Sequence, residues 1–338
     1  ADINMPSGPL DLDSAINGVD GVAYMERMPV KTSGGFAHRG SKSKYLEQHT
    51  GNDQHNVLYK FNADLQEEYD RMVNNYKQGK RSIIIWDFNF KDEPITHEKL
   101  LKQKCRIFNS GPCAFIALER QFYLWCIPFF SGKIRHKFGM ALGANCFSQD
   151  WVTLYKYVTQ HGEKRIIAGD YSKFDKRMSS QMMMAAFNVL IRLMRKANWQ
   201  EEDIQIAIGI ATDICFPVSN AFGTIIETDG SNPSGHSLTT VINGMVNIMY
   251  IMIACMDIEH QQGTNLIDYN YFPRYCSILT YGDDNCMSCC YPWMNHIAIS
   301  KSLEKYGVVY TSADKKSELV PFITADNLDF LKRKFVKG

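Results

Sequence analysis

A chain of 338 residues and 38.7 kDa is too long for a peptide hormone or a lone binding module, and suits one large multi-layer enzyme or two fused units. With 45% hydrophobic, 12% aromatic and 22% charged residues it can bury a sizeable core, which excludes a disordered linker. Lys and Arg number 37 against 36 Asp and Glu, a formal charge of +1, so any polyanion must be met by a local patch.

The first 60 residues, rich in Gly, Ser, Asp and Asn, read as irregular chain supported by something else. The start at Ala1 without Met, and without a basic-then-apolar leader, is what an excised or truncated product would show. Residues 91 to 140 hold nine basic side chains against four acidic ones, either a polyanion surface or a solvated charged face.

From residue 150 the pattern sharpens. Lys164 to Gly169 reads as an apolar strand ending at Asp170, and Met178 to Lys196 as a helix whose five methionines are core filler. Glu201 to Cys215 reads as a helix, Val218 to Glu227 as a strand or hairpin, and Gly235 to Met256 as a long buried helix. Its apolar stretch, Val241 to Met256, is broken by Asn243, Gly244 and Asn247 and is expected to fall short of a bilayer span, so no transmembrane segment is expected. Cys276 to Thr280 and Cys286 to Cys290 read as strands around the polar turn Tyr281 to Asn285. A helix near Asn295 to Tyr306, a strand at Val308 to Thr311 and a strand pair around Leu328 to Val336 complete an α+β plan, an antiparallel sheet with helices on one face. The ten cysteines lack framework spacing and read as reduced thiols in a cytosolic setting. Cys286, Cys289 and Cys290 cluster, but with His296 the sole candidate fourth ligand they read as small buried hydrophobes.

Two acidic tips stand at strand ends: Asp170, and Asp283 with Asp284. Adjacent carboxylates repel unless they share a hard cation, and oxygen-only ligands point to Mg²⁺ or Mn²⁺, two ions serving an in-line phosphoryl transfer. A Gly-Asp-Asp turn is also ordinary hairpin chemistry, and taken alone the turn favours that plainer reading.

The wider pattern resembles a known family. GDYSKFDKRM at Gly169 to Met178, SNPSGHSLTTVIN at Ser231 to Asn243 and YGDD at Tyr281 to Asp284 are similar, in order, to the palm motifs of picorna-like viral RNA-dependent RNA polymerases, those of insect iflaviruses and dicistroviruses included. Lys91-Asp92-Glu93 followed by Lys99, Lys104 and Arg106 resembles the basic finger motif, and Thr32 to Phe36 the template-entry loop, with a departure from the usual aromatic-proline ending. Tyr306-Gly307 with Ser312 to Lys315 resembles the motif of the catalytic lysine, and Phe330 to Arg333 the primer grip.

The resemblance implies a right-hand polymerase: fingers over 1–127, palm over 128–214, a fingers insertion over 215–232, and palm again over 233–338, ending at the primer grip without the helical thumb that would follow. It implies RNA-templated RNA synthesis in the replication of a positive-strand RNA virus, with two Mg²⁺ or Mn²⁺ ions. The metal ligands would be Asp170 and Asp283, with Asp284 in support. Lys91, Lys104 and Arg106 would neutralise the triphosphate. Asp175 and Asn243, assisted by Ser234 and Thr239, would sense the ribose 2′-hydroxyl, although outside this context capping and helix packing are the better account of Thr239. Lys315 would be the general acid. RNA would touch Thr32, Ser33, Gly34, Gly235, Lys332 and Arg333. Implied partners are template RNA, the nascent strand, NTPs, a protein primer and other viral replication proteins, in the host cytoplasm at membrane-associated replication complexes.

Three rival functions make different demands. A reverse transcriptase shares the palm and a YxDD turn but guards the sugar with a bulky aromatic, where this chain offers Asp175 and Asn243. A non-catalytic RNA-binding scaffold would need the basic patch and not the three aspartates together. A nucleotidyl cyclase on a related palm would act without a template loop or finger lysines.

Overall fold

The computed structural model describes residues 5–50, 57–313 and 317–335. They fall into two compact units, one built from Phe129–Arg177 and the chain from Thr240 onward, the other from the chain up to Pro128 and Met178–Thr239.

The first unit is organised by a four-stranded antiparallel sheet in the order Tyr310–Ser312, Ile166–Tyr171, Asp284–Cys289, Cys276–Tyr281. Three of its strands, Ile166–Tyr171, Cys276–Tyr281 and Asp284–Cys289, are buried almost end to end and carry Ile, Leu, Ala, Met and Cys, residues that suit a sheet covered on both faces. The thiol cluster lies here, with Cys286 and Cys289 buried and Cys290 at the strand end, as small apolar fillers. The Gln149–Val158 and His296–Glu304 helices pack on the sheet. Each starts at a side-chain cap, Ser148 accepting from the Asp150 amide and Asn295 from that of Ala298. The short pair Asp329–Phe330 and Arg333–Lys334 turns through Leu331 and Lys332, both at positive φ, and seats Phe330 and Phe335 against Trp151.

The long apolar helix runs Thr239–Gln262, starting four residues later than expected because Ser234 and Gly235 lie in the turn before it. At 24 residues, with an 18-residue window of mean hydropathy 1.7, it is by length and composition long and apolar enough to cross a bilayer, which corrects the expectation that it falls short. Two thirds of that window (67%) is nevertheless buried inside the protein, with Ile242, Val246 and Ile251 fully enclosed.

The second unit holds a mixed sheet in the order Ile107–Ser110, Ile85–Phe90, Val218–Ala221, Thr224–Glu227, with the Ile85 and Val218 strands parallel. Val218 to Glu227 is a hairpin, as expected. Helices Ala63–Lys77, Cys113–Tyr123, Ser180–Lys196 and Glu201–Cys215 pack beside one another. This moves a boundary: residues 178–214, expected to continue the unit that begins near 128, cluster instead with the chain up to Pro128. The cause is packing. Met183, Phe187, Leu190 and Met194 bury one face of the Ser180 helix, and Gly209 of the next helix admits the ring of Tyr76, whose atoms come within 2.3 Å of where a Cβ would stand. The N-terminal stretch is less irregular than its composition implies: Asp11 caps a helix over Leu12–Asn17, and Leu46–Thr50 pairs with Val57–Phe61.

Candidate active site

Asp170 stands in the Ile166–Tyr171 strand, and Asp283 with Asp284 at the tip of the neighbouring hairpin. That hairpin closes through a two-residue turn, Gly282–Asp283, after the Tyr281 and Asp284 pair, tighter than the five-residue turn expected. Gly282 takes a φ of +64°, which glycine accepts without strain. Asn247, fully buried in the long helix, donates from Nδ2 to the carbonyls of Gly282 and Asp283, both at 3.1 Å, and accepts from the Tyr171 hydroxyl at 3.0 Å. It fixes the turn against the sheet. Asn247 is a turn-holding residue that motif matching missed; the signal was an amide interrupting an apolar run.

The three aspartates line one cavity of about 560 Å³ with His296, Glu318, Asp329 and Lys332 among its other walls. Burial, and then the charges of Asp283, Asp170 and Asp329, push the Asp284 carboxyl up to about 6, against the Leu331 amide, which donates to Oδ2 at 2.8 Å and lowers it. Crowded carboxylates raised in this way are what a bound divalent cation would relieve. Among the described residues no group of three His, Cys, Asp or Glu side chains is arranged to chelate one ion. Since Asp284 already serves Leu331, the donor set that fits a cation is Asp170 with Asp283, and Mg²⁺ is ordinarily held by one or two carboxylates with substrate phosphates completing its shell.

A tyrosine sets the register of the acidic strands. The Tyr310 phenol donates to Oδ1 of Asn285 at 2.7 Å, and its ring lies over Gly169, with atoms 2.0 to 2.3 Å from where a Cβ would be. His296 packs on the same ring at 4.9 Å. Burial brings its imidazole down to about 4, opposed by a hydrogen bond to the Thr311 backbone. A histidine that is neutral when folded but ordinary when unfolded contributes stability above its unfolded pKa near 6.5, and loses it as pH falls toward 4. The loss is on the order of 3 kcal/mol. Urea denaturation between pH 8 and pH 4 should show the parent losing that increment below pH 6.5 and His296→Gln losing markedly less. Parallel curves for the two would remove His296 as the cause.

Asp175 and Asn243 meet, Asn243 Nδ2 donating to Asp175 Oδ1 at 2.5 Å. Both belong to the first unit. Thr239 and Ser234 belong to the second. The Thr239 hydroxyl donates to the His236 carbonyl at 2.9 Å, a capping contact that leaves its oxygen as an acceptor. Ser234 Oγ accepts from the Asn109 amide at 3.3 Å, and a Cβ on Gly235 would stand 1.7 Å from the Asn109 carbonyl oxygen, so only glycine allows this approach.

Lys91 and Arg106 face each other across a hairpin and both hold Glu93, at 3.2 and 3.3 Å, while Lys104 is exposed. Thr32 and Ser33 are tied to Lys42, whose Nζ donates to Thr32 Oγ1 at 2.7 Å and to the Ser33 carbonyl at 2.8 Å, and whose pKa burial lowers. The Gly34 carbonyl accepts from the Cys113 amide at 2.9 Å. Lys332 lines the aspartate cavity, and Arg333 lies over the exposed Phe147 ring at 5.5 Å. Lys315 lies outside the described residues.

A family model described as viral RNA-dependent RNA polymerase matches residues 4–338. The chain belongs to this family. Among similar sequences, the replicase polyprotein of cricket paralysis virus is 25% identical over 99% of this chain and 20% of its own length. The RNA1 polyprotein of Andean potato mottle virus is 27% identical over 97% of this chain and 45% of its own. The chain thus spans between a fifth and a half of those two relatives. The fold matches the Sicinivirus 3Dpol RNA-dependent RNA polymerase with a TM-score of 0.77 and 19% identity, over 100% of this chain and 69% of that one. The right-hand polymerase fold expected from the motifs is therefore the fold of this chain.

Proposed function

We propose that this viral RNA-dependent RNA polymerase chain transfers nucleotides from NTPs to the 3′-hydroxyl of a growing RNA on an RNA template, releasing pyrophosphate, in replication of a positive-strand RNA virus genome. The observation that carries the reading is the convergence of Asp170, Asp283 and Asp284 on one cavity, with the Asp284 carboxyl raised by burial and by its acidic neighbours. Asp170 and Asp283 would hold two Mg²⁺ or Mn²⁺ ions, which supply activation of the attacking hydroxyl and charge neutralisation at the leaving oxygen. In the same reading the first unit is the palm and the second the fingers.

The remaining work falls to side chains. Arg106 and Lys91 would exchange Glu93 for a triphosphate, at small cost because exposed ion pairs are worth little, and Lys104 would add point charge. Lys315 would protonate the pyrophosphate leaving group. Asp175 and Asn243 would recognise the ribose 2′-hydroxyl, which a deoxy sugar cannot offer. Asp175→Ala or Asn243→Ala should therefore cut the ratio of NTP to dNTP efficiency by about tenfold to a hundredfold while leaving template affinity near the parent value. A ratio unchanged in both variants would reject the sugar-sensing role. The same pair separates this reading from reverse transcription. Primer extension on an RNA template, with NTPs or dNTPs and with or without chelator, tests the whole proposal: extension with NTPs that chelator stops supports it, and preference for dNTPs or indifference to chelator overturns it.

A further inference from the structure

Glu119 has no part in the chemistry above, yet it is fully buried in the Cys113–Tyr123 helix, and both its oxygens are turned to the segment that carries Ser234 and Gly235. Oε1 lies 3.4 Å from Nδ1 of His236, and Oε2 accepts from the Ser237 hydroxyl at 2.6 Å and from its amide at 3.4 Å. The other ring nitrogen of His236, Nε2, lies 2.9 Å from Oδ1 of Asn232. The neighbouring cation, Arg120, spends its hydrogen bonds on the carbonyls of Ala15 and Glu26 and meets Glu119 through charge alone. The Trp86 ring lies edge-on to the imidazole at 6.1 Å.

A carboxylate with no exposure is strongly disfavoured unless a cation and hydrogen bonds compensate it. An imidazole with an acceptor at each nitrogen satisfies both only when it carries two protons. The two requirements meet in one pair. The turn it holds is also fixed from its other side, where Asn109 donates to Ser234 Oγ and leaves no room for a side chain at Gly235.

We infer that Glu119 and the imidazolium of His236 form a buried ion pair that positions the Ser234–Gly235 turn, and through it the nucleotide. The inference rests on the polymerase reading for its effect on nucleotide binding, while the pair itself stands on geometry. Neither residue touches substrate; both are positioning residues. Glu119→Gln keeps the size of the side chain, removes its charge and turns one of its two acceptor oxygens into an amide donor. Without the charge the turn should loosen.

The test uses the full chain. In ¹⁵N spectra of the parent at neutral pH, both ring nitrogens of His236, assigned by their disappearance in His236→Gln, should show the imidazolium signature, and in Glu119→Gln one of them should lose its proton. Amide exchange across 232–237 should rise about tenfold in Glu119→Gln with the Cys113–Tyr123 helix unchanged. The KM for every NTP should rise about tenfold, with kcat within about twofold of the parent. Ser237→Ala, a milder change that leaves the ion pair, should raise exchange by about threefold and preserve the imidazolium. A singly protonated His236 ring in the parent overturns the pair, and parental exchange in both Glu119→Gln and Ser237→Ala overturns its positioning role. A parent that adds no nucleotide would count against the polymerase reading alone, because spectrum and exchange are read without activity.

Discussion

Asp283→Asn is expected to lower single-nucleotide addition by about a thousandfold or more, the loss of several kcal/mol of charge stabilisation at the reacting phosphate. The substitution keeps the shape of the side chain and removes the charge that a cation needs. The backbone of the turn should survive it, because Gly282 supplies the positive φ and Asn247 grips the main-chain carbonyls of residues 282 and 283, not the carboxylate. RNA binding should stay near the parent value, since it depends on basic groups elsewhere. Asp170→Asn should behave alike. Asp284→Asn should be milder for chemistry, because that carboxylate is already committed to the Leu331 amide and relief of crowding among four acids partly offsets its loss. Extension of a labelled primer by one NTP, beside filter binding of the same RNA at equal folded fraction, measures both quantities. Comparable addition by Asp283→Asn and the parent would sink the assignment of the acidic cavity as the reaction centre.

What the sequence made legible were features whose cause is local. The Glu201–Cys215 helix has apolar residues at helical spacing and three acids in its first turn, and the Cys276 and Asp284 strands are short apolar runs about a Gly-Asp turn. The aspartates could be located because each follows such a run. Features that depend on distant partners were not legible. The parallel pairing of Ile85 with Val218, the seat of Tyr76 on Gly209, Tyr310 over Gly169 and Glu119 beside His236 each join residues far apart in the chain, and no periodicity announces them. The same holds for the boundary at residue 178. Residues 178–214 look like any amphipathic helix pair, and which unit they join is decided by the faces of Ala63–Lys77 and Cys113–Tyr123 that receive them. Asn247 lies between the two cases, visible as a polar interruption but not interpretable until the turn it holds was in place.

Gly169→Ala should be the most damaging single methyl group in the first unit. Gly169 precedes Asp170 in its strand, and the ring of Tyr310 occupies the space a Cβ would need, with its nearest atom at 2.0 Å. A flexible surface side chain would swing aside, but Tyr310 is 1% exposed, packed between Tyr171 and His296, and hydrogen-bonded to Asn285. The collision must therefore push the Tyr310–Ser312 strand away from its neighbour or drive the phenol off Asn285, a buried amide whose Nδ2 already has no partner among the described residues. Overpacking of this kind costs about 3 kcal/mol, and it moves the strand that carries Asp170. Gly169→Ala should thus melt several degrees below the parent and lose most of its nucleotide addition even where it remains folded. Tyr310→Ala should destabilise by a comparable amount for the opposite reason, a cavity, so the double variant should be less destabilised than the sum of the two by about 1–3 kcal/mol, because each change relieves the other. Thermal melts and single-nucleotide addition across the four proteins measure that coupling. Additive losses, or a Gly169→Ala protein with the melting temperature and activity of the parent, would show that Tyr310 does not set the position of Asp170.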